Sequence, residues 1–243
     1  MFLYTVQLRL NDVQLSSVPT ERSARARLDE AGVVDAALHL ADSEGLDALT
    51  IRRLAQALSV TPTALYWHFT DKQAVLNAIG DRLWEQVLAR LSPADDGDAW
   101  GDIRAVLEAM VAVFRHHPVL APLAPARFID SPAGLAITER TLEQLARVGY
   151  DERRAVDAAR LLLCTALMLV TSLPGISIPD ADVREAVARR KRAAVLTLPP
   201  GRYPRVELAA GYLFNWDDPD AYYQLGVDLI LGGLQSGLGR PIA

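Results

Sequence analysis

The chain has 243 residues, 51% of them hydrophobic, and a formal net charge of −5. That length and apolar content suit one small and one larger folded unit with a real core, and the acidic balance excludes a protein that coats polyanions indiscriminately. The single cysteine, Cys164, excludes an intrachain disulfide framework and fits a reducing cytoplasm.

In chain order the expected elements are helices, so the fold class is all-α. Residues 1–24 form an extension whose start alternates as Phe2, Tyr4, Val6, Leu8 and Leu10. It lacks the basic start and continuous apolar core of a signal peptide. Arg22, Arg25 and Arg27 read either as a basic arm on DNA or as a solvated charge run. Residues 28–45 spell an amphipathic helix with Val33, Val34, Ala37, Leu38 and Leu40 apolar, stopped by Gly45. Thr50 caps a helix over residues 51–58, in which Ile51, Leu54, Ala55 and Leu58 share one face. Ser59 ends it and Val60 plugs the turn. Thr61-Pro62 then opens a short helix, residues 62–68, with a capping hydroxyl and a proline where its missing N–H costs nothing. Leu65 faces the preceding helix, which leaves Pro62, Thr63, Ala64, Tyr66, Trp67 and His68 largely free of the core. Two short helices joined this way present the second one to a DNA groove. Taken alone, the pattern also fits a packing hairpin in any α protein, with Tyr66, Trp67 and Phe69 as core residues.

Asp71 caps a long helix from Lys72 to about residue 91. Residues 98–114 are amphipathic, with Trp100, Ile103, Val106, Leu107, Met110, Val111 and Phe114 on the apolar side. Residues 118–128 are broken and proline-rich, Ser131-Pro132 starts a helix to residue 148, and Gly149-Tyr150-Asp151 turns into a helix over residues 152–172. Its apolar run LLLCTALMLV is too short for a membrane span. Cys164 within it reads as a small buried hydrophobe. Residues 173–179 break that helix, 180–196 form a basic helical insert, 198–204 a proline-rich link, and 219–238 the last helix. Along the last helix Tyr222, Tyr223, Leu225, Val227, Leu229, Ile230, Leu231 and Leu234 cover most of the circumference. Gly226, Gly232 and Gly233 would admit another helix closely.

The run from Gly32 to Ile79, GVVDAALHLADSEGLDALTIRRLAQALSVTPTALYWHFTDKQAVLNAI, resembles the N-terminal domain of the tetracycline-repressor (TetR) family of bacterial regulators. The matching signals are Ala36-Ala37, Gly45, Leu49-Thr50, Leu54-Ala55, the Leu-Tyr-Trp-His run and Lys72. Ser59 departs from the glycine usual in the family; a left-handed turn there costs serine roughly 1 kcal/mol. The ending PDAYYQLGVDLILGGLQSGL is similar to the last helix of the subgroup closest to the tetracycline repressor itself. The resemblance implies an extension over residues 1–24, a helix-turn-helix domain over 25–71, and a larger ligand-binding and dimerisation domain over 72–243.

It also implies roles. Thr50, Tyr66, His68 and Lys72 match positions that hold phosphates, and Arg52 matches a base reader suited to guanine. Thr61, Pro62, Thr63, Ala64 and Trp67 complete the groove-facing set, which is mostly apolar. Residues 21–72 carry eight acids (Glu21, Asp29, Glu30, Asp35, Asp42, Glu44, Asp47, Asp71) against six bases (Arg22, Arg25, Arg27, Arg52, Arg53, Lys72), so binding would rest on local placement of charge. The last helix and residues 161–170 would build a four-helix interface between two copies through Leu161, Thr165, Tyr223, Val227, Ile230 and Leu234. An interface of that obligate kind buries roughly 2,000 Å² or more. Two-fold symmetry would set the recognition helices about 34–36 Å apart, on a palindrome.

The tetracycline repressor holds a magnesium–drug chelate through a histidine and a partner carboxylate. The matching positions here fall near Leu123 and Pro174, and other drug positions near Leu88, Leu107 and Val111. None is a metal ligand. His116-His117 read as partners of a helix C-terminus. The expectation is therefore no metal, no cofactor, and an apolar inducer pocket lined by Leu88, Leu107, Val111, Phe114, Leu123, Phe128 and Met168, with tetracycline not the ligand. The expected partners are double-stranded operator DNA, a second copy of the chain and an unidentified small-molecule inducer, with no membrane and a cytoplasmic location. Inducer binding would act through the helix from Lys72, needing about 1–3 kcal/mol of differential affinity. Two other classes stay open at this point. One is an α-helical enzyme or carrier, although no nucleophile–base pair or phosphate-binding glycine loop is visible and the histidines are only His39, His68, His116 and His117. The other is an architectural DNA protein that takes no ligand.

Overall fold

The computed structural model describes residues 29–94, 97–172, 181–199, 201–214 and 218–237. The expectations for residues 1–28 and 173–180, Pro174 included, lie outside the described residues. Within them the chain is all-α: α1 (Glu30–Glu44), α2 (Ile51–Ala57), α3 (Pro62–Tyr66), α4 (Lys72–Ala89), α5 (Ala99–His116), α6 (Pro132–Arg147), α7 (Glu152–Thr171), α8 (Ala181–Leu196), α9 (Pro204–Ala209) and α10 (Pro219–Gly237). A proline-containing 3-10 helix, Ala121–Arg127, stands where a broken segment is expected.

Helix starts follow local chemistry. The side chains of Asp29, Thr50, Thr61, Asp71, Asp98, Ser131 and Asp151 each accept a hydrogen bond from a backbone N–H in the first turn of α1 to α7. Each such cap stabilises its helix by about 1 kcal/mol over alanine. Helix ends differ more from expectation. The sequence reading carries α3 to His68, but α3 stops at Tyr66, and the His68 and Phe69 N–H groups both donate back to the Leu65 carbonyl. α9 is missed altogether: Pro204 there marks a helix start, whereas the proline-rich stretch before it reads as a link.

α1 to α3 form a headpiece. Gly45 ends α1 with φ +87°, a conformation that strains any side chain. Ser59 sits at φ 55°, so the turn between α2 and α3 is left-handed and serine bears the expected cost. Arg53 Nε donates to Glu44 Oε2 at 3.0 Å, tying α2 to the end of α1. α4 carries the headpiece on its first half, against α1, and meets the 3-10 helix, α5 and α6 further along.

The body closes around Trp84, which is fully buried and donates its ring N–H to the Ala124 carbonyl at 2.9 Å. Phe114 stands edge-on to it at 6.0 Å and Phe128 lies tilted at 5.6 Å, geometries that complement the ring quadrupoles. A buried ion pair, Arg140 with Asp102, links α6 to α5, and the carboxylate raises the guanidinium further above its ordinary range. α10 lies on α5 and α7. A Cβ at Gly226 would press on the Leu169 side chain and force it to shift, so glycine eases the approach of α10 to α7 there. Tyr150 Oη donates to the Leu234 carbonyl and Arg154 to the Gly237 carbonyl, both at 2.8 Å, closing the end of α10. No helix among the described residues is long and apolar enough to cross a membrane.

Candidate nucleic-acid interface and ligand domain

The interface begins with one buried residue. Leu65 has no exposed surface and is the buried residue of α3, so it alone roots that helix in the headpiece core beside Leu54, Ala55 and Phe69. Because Leu65 and Phe69 share the inward face, the residues between them point outward. Trp67 is 86% exposed and Tyr66 55% exposed. Thr61, Pro62, Thr63 and His68 are exposed too, and Ala64 is half-buried. Phe69 belongs to the core, Tyr66 and Trp67 do not.

Three cations flank this face differently. Arg52 is exposed, on the first turn of α2, with no hydrogen-bond partner among the described residues. Arg53 is engaged by Glu44, which raises the guanidinium and holds the carboxylate below its ordinary value. Lys72 Nζ donates to the Leu46 carbonyl at 3.1 Å, so the ammonium braces the loop after α1 and keeps two further protons for other acceptors. Thr50 is committed through its oxygen to Arg53 N–H at 3.1 Å.

Among the described residues, the side chains expected around an inducer stand in different surroundings. Leu107 and Phe114 are packed into the core, Leu123 and Phe128 lie partly buried against it, and Val111 is buried beside α10. Leu88 and Met168 point outward, Met168 being 57% exposed. Trp84 packs on both Phe114 and Phe128. Two hollows of about 340 Å³ lie among the described residues. One runs between α5 and α10 over Glu108, Val111, Arg115, Asp220, Tyr223 and Gln224. There Arg115 pairs with Asp220 at 2.5 Å and sits 5.4 Å from the Tyr223 ring centre, while burial pushes the Tyr223 hydroxyl up. The other lies at the α6–α7 elbow over Leu142, Ala146, Tyr150, Ala155 and Val156.

One group that the sequence reading misses belongs to this domain. Gln144 on α6 is 1% exposed, and among the described residues neither its amide nitrogen nor its oxygen has a partner. A buried unpaired amide costs about 1–3 kcal/mol, so it marks a place where polarity has a use. Its signal was the break it makes in the inward stripe of Ile137, Thr141 and Leu145.

The residues expected between two copies divide between the inner and outer faces of their helices. Tyr223, Val227, Leu231 and Leu234 recur at helical spacing on the face of α10 turned to its own protomer, and Thr165 is buried likewise in α7. Of the expected set, Leu161 is exposed and Ile230 half-buried. The outward stripes are instead Leu161, Cys164 and Met168 on α7, and Tyr222, Leu225 and Leu229 on α10. Cys164 is therefore exposed rather than buried. Additional Cβ atoms on Gly232 and Gly233 would meet open space. His116 Nδ1 approaches the Ala112 carbonyl at 2.6 Å, as a helix C-terminal partner, but His117 leaves its helix for Asp42 and Gln86. Among the described residues no three His, Cys, Asp or Glu side chains gather as a metal site.

Comparison with known proteins follows the same division. Residues 33–79 match the model of bacterial regulatory proteins of the tetR family, and residues 92–238, more than half of the chain, match the tetracyclin repressor-like C-terminal domain. An HTH-type transcriptional regulator of Saccharopolyspora erythraea is 28% identical over 226 residues, 90% of each chain. The class C tetracycline repressor protein of Escherichia coli is 28% identical over 220 residues, 86% of this chain and 91% of that one. The Streptomyces coelicolor TetR family protein ActR, in its crystal structure with actinorhodin, superposes with a TM-score of 0.74 at 26% identity, over 88% of this chain and 99% of that one. A helix-turn-helix headpiece with an outward aromatic face, carried on a helical body that matches the repressor-like domain along its length, makes this chain a member of the TetR family, a ligand-responsive transcriptional regulator and not an enzyme.

Proposed function

We propose that the protein is a repressor that binds a palindromic operator as a homodimer and is released by a small, largely apolar inducer. The observation that carries this reading is the α3 face: Tyr66 and Trp67 stand exposed beside Pro62 and Thr63, rooted only by Leu65. Exposed large aromatics on a soluble headpiece lose free energy unless something covers them. A groove lined with thymine methyls and sugars suits that surface better than hydrogen-bond readout does. Arg52 is the base reader of the set, and Thr50, Tyr66, His68 and Lys72 position the helix against the backbone.

The homodimer rests on the apolar outward stripes of α7 and α10, with Gly232 and Gly233 open for close approach. The inducer rests on Gln144, whose buried amide offers an NH₂ donor and a carbonyl acceptor to a ligand with complementary groups. ActR has been crystallised with actinorhodin, which supports a small-molecule inducer for this chain. The test is selection of double-stranded DNA from a random pool by the purified full chain. Enrichment of inverted half-sites one helical turn apart is expected, and enrichment of no sequence, or of an unpaired half-site, overturns the reading. Native mass spectrometry of the same preparation reads the dimer mass and any co-purifying small molecule.

A further inference from the structure

His117 joins three helices that belong to two functional parts. It follows the last residue of α5, its own N–H donates to the Phe114 carbonyl at 3.1 Å, and its carbonyl accepts from Leu120 and Ala121 at 3.0 and 2.8 Å. A backbone pinned on both sides fixes where the ring points. Its Nδ1 lies 2.6 Å from Asp42 Oδ2 on α1, and its Nε2 lies 3.2 Å from Gln86 Oε1 on α4. One side chain of the body thus reaches the headpiece and the connecting helix together.

The chemistry of imidazole makes that arrangement depend on charge. Both ring nitrogens face oxygen acceptors, and only the imidazolium carries a proton on each. In the neutral ring, a proton kept for Asp42 leaves the Nε2 lone pair against the Gln86 oxygen, until the amide turns over to present its NH₂. The other charged groups of these helices are engaged elsewhere or face solvent. Arg82 bridges Asp35 and Glu85, Arg127 holds Asp81, Arg53 holds Glu44 and Arg115 holds Asp220. His39, Arg90 and His116 are exposed.

We infer that His117 is a positioning residue that clamps α1 to α4 and α5 when protonated and loosens the headpiece when neutral, so that the set of the DNA-reading helices responds to pH. The inference rests on the proposed operator binding only in its last step, because the clamp itself belongs to the free protein. Its partner chemistry is a carboxylate and an amide across a domain junction, which neither a helix cap nor a core histidine would need.

Hydrogen exchange of the full chain at pH 5.5 and 8.0, corrected for intrinsic exchange, tests it. α1 amides in the wild type should be about three- to five-fold better protected at the lower pH, the range of a part-exposed ion pair. His117→Gln should abolish the difference. Asp42→Asn, which still accepts a hydrogen bond from the neutral ring, should keep the protection seen at pH 8.0 and lose the gain at pH 5.5. A pH-independent wild type, or an undiminished difference in both variants, overturns the clamp. On DNA selected by the wild type, His117→Gln should remove the His117 share of any pH dependence of affinity. If no DNA is selected, operator binding fails while the exchange result still decides the clamp.

Discussion

Two tryptophans separate the headpiece from the body. Trp84 is fully buried, its ring N–H bonded to the Ala124 carbonyl and its faces met by Phe114 and Phe128. Trp67, in the headpiece, is 86% exposed just past a five-residue helix rooted by Leu65 alone. The same side chain is a keystone in one region and a contact surface in the other. What differs is how many elements surround it. α4 is enclosed by α5, α6 and the 3-10 helix, whereas α3 packs on α2 and leaves the rest of its circumference bare.

The contrast breaks most sharply within α3. Leu65→Ala removes a fully buried side chain and should destabilise the headpiece by about 2–5 kcal/mol. Trp67→Ala, two residues on, should change thermal stability by no more than about 0.5 kcal/mol while weakening operator binding. Paired melting and DNA-binding measurements check this, and equal losses of stability in both variants would place Trp67 in the core. Arg52→Ala should then relax specificity at one position in each half-site by about 1–3 kcal/mol. Lys72→Ala should weaken all sequences alike and also cost headpiece stability of about 1 kcal/mol, because it removes the bond to the Leu46 carbonyl. Footprinting on a panel of operator variants, read beside melting curves, distinguishes the two.

In the body, Gln144→Leu should leave stability unchanged or raise it by about 1–2 kcal/mol, since an unpaired amide is exchanged for a group that needs no partner. Denaturant midpoints measure it, and a loss of more than 1 kcal/mol would mean the amide is satisfied in solution. The smallest effect concerns Glu44. Arg53 holds its carboxyl below the ordinary value, so the pair supports the folded headpiece above the unfolded carboxylate range, near pH 4, and the support fades as pH falls through the lower folded value. Glu44→Gln should flatten the acid limb of the headpiece melting curve without altering stability at pH 7 by more than a surface pair does.

Much of the headpiece was legible in the sequence because its signals are local. Thr50, Thr61-Pro62 and Asp71 act within one turn of themselves, and a cap or a proline at the first helical position needs no distant partner. The faces of α7 and α10 were less legible. An apolar residue nearly all the way round a helix does not say which stripe meets its own core, and Tyr223, Val227 and Leu234 went inward where an intersubunit role was expected. The pocket is hard to read for a related reason. Leu107, Phe114 and Phe128 are apolar whether they line a cavity or fill one.

Sequence alone therefore determined the helical fold class, most helix starts and the inward turn of Leu65, all of which follow from chemistry within a few residues. Only the tertiary structure decided that Cys164 lies on the outer face of α7, that Gln144 is buried without a partner and that His117 reaches Asp42 across 75 positions of the chain. Those outcomes depend on which helices come to lie side by side, and a linear pattern does not encode its own neighbours.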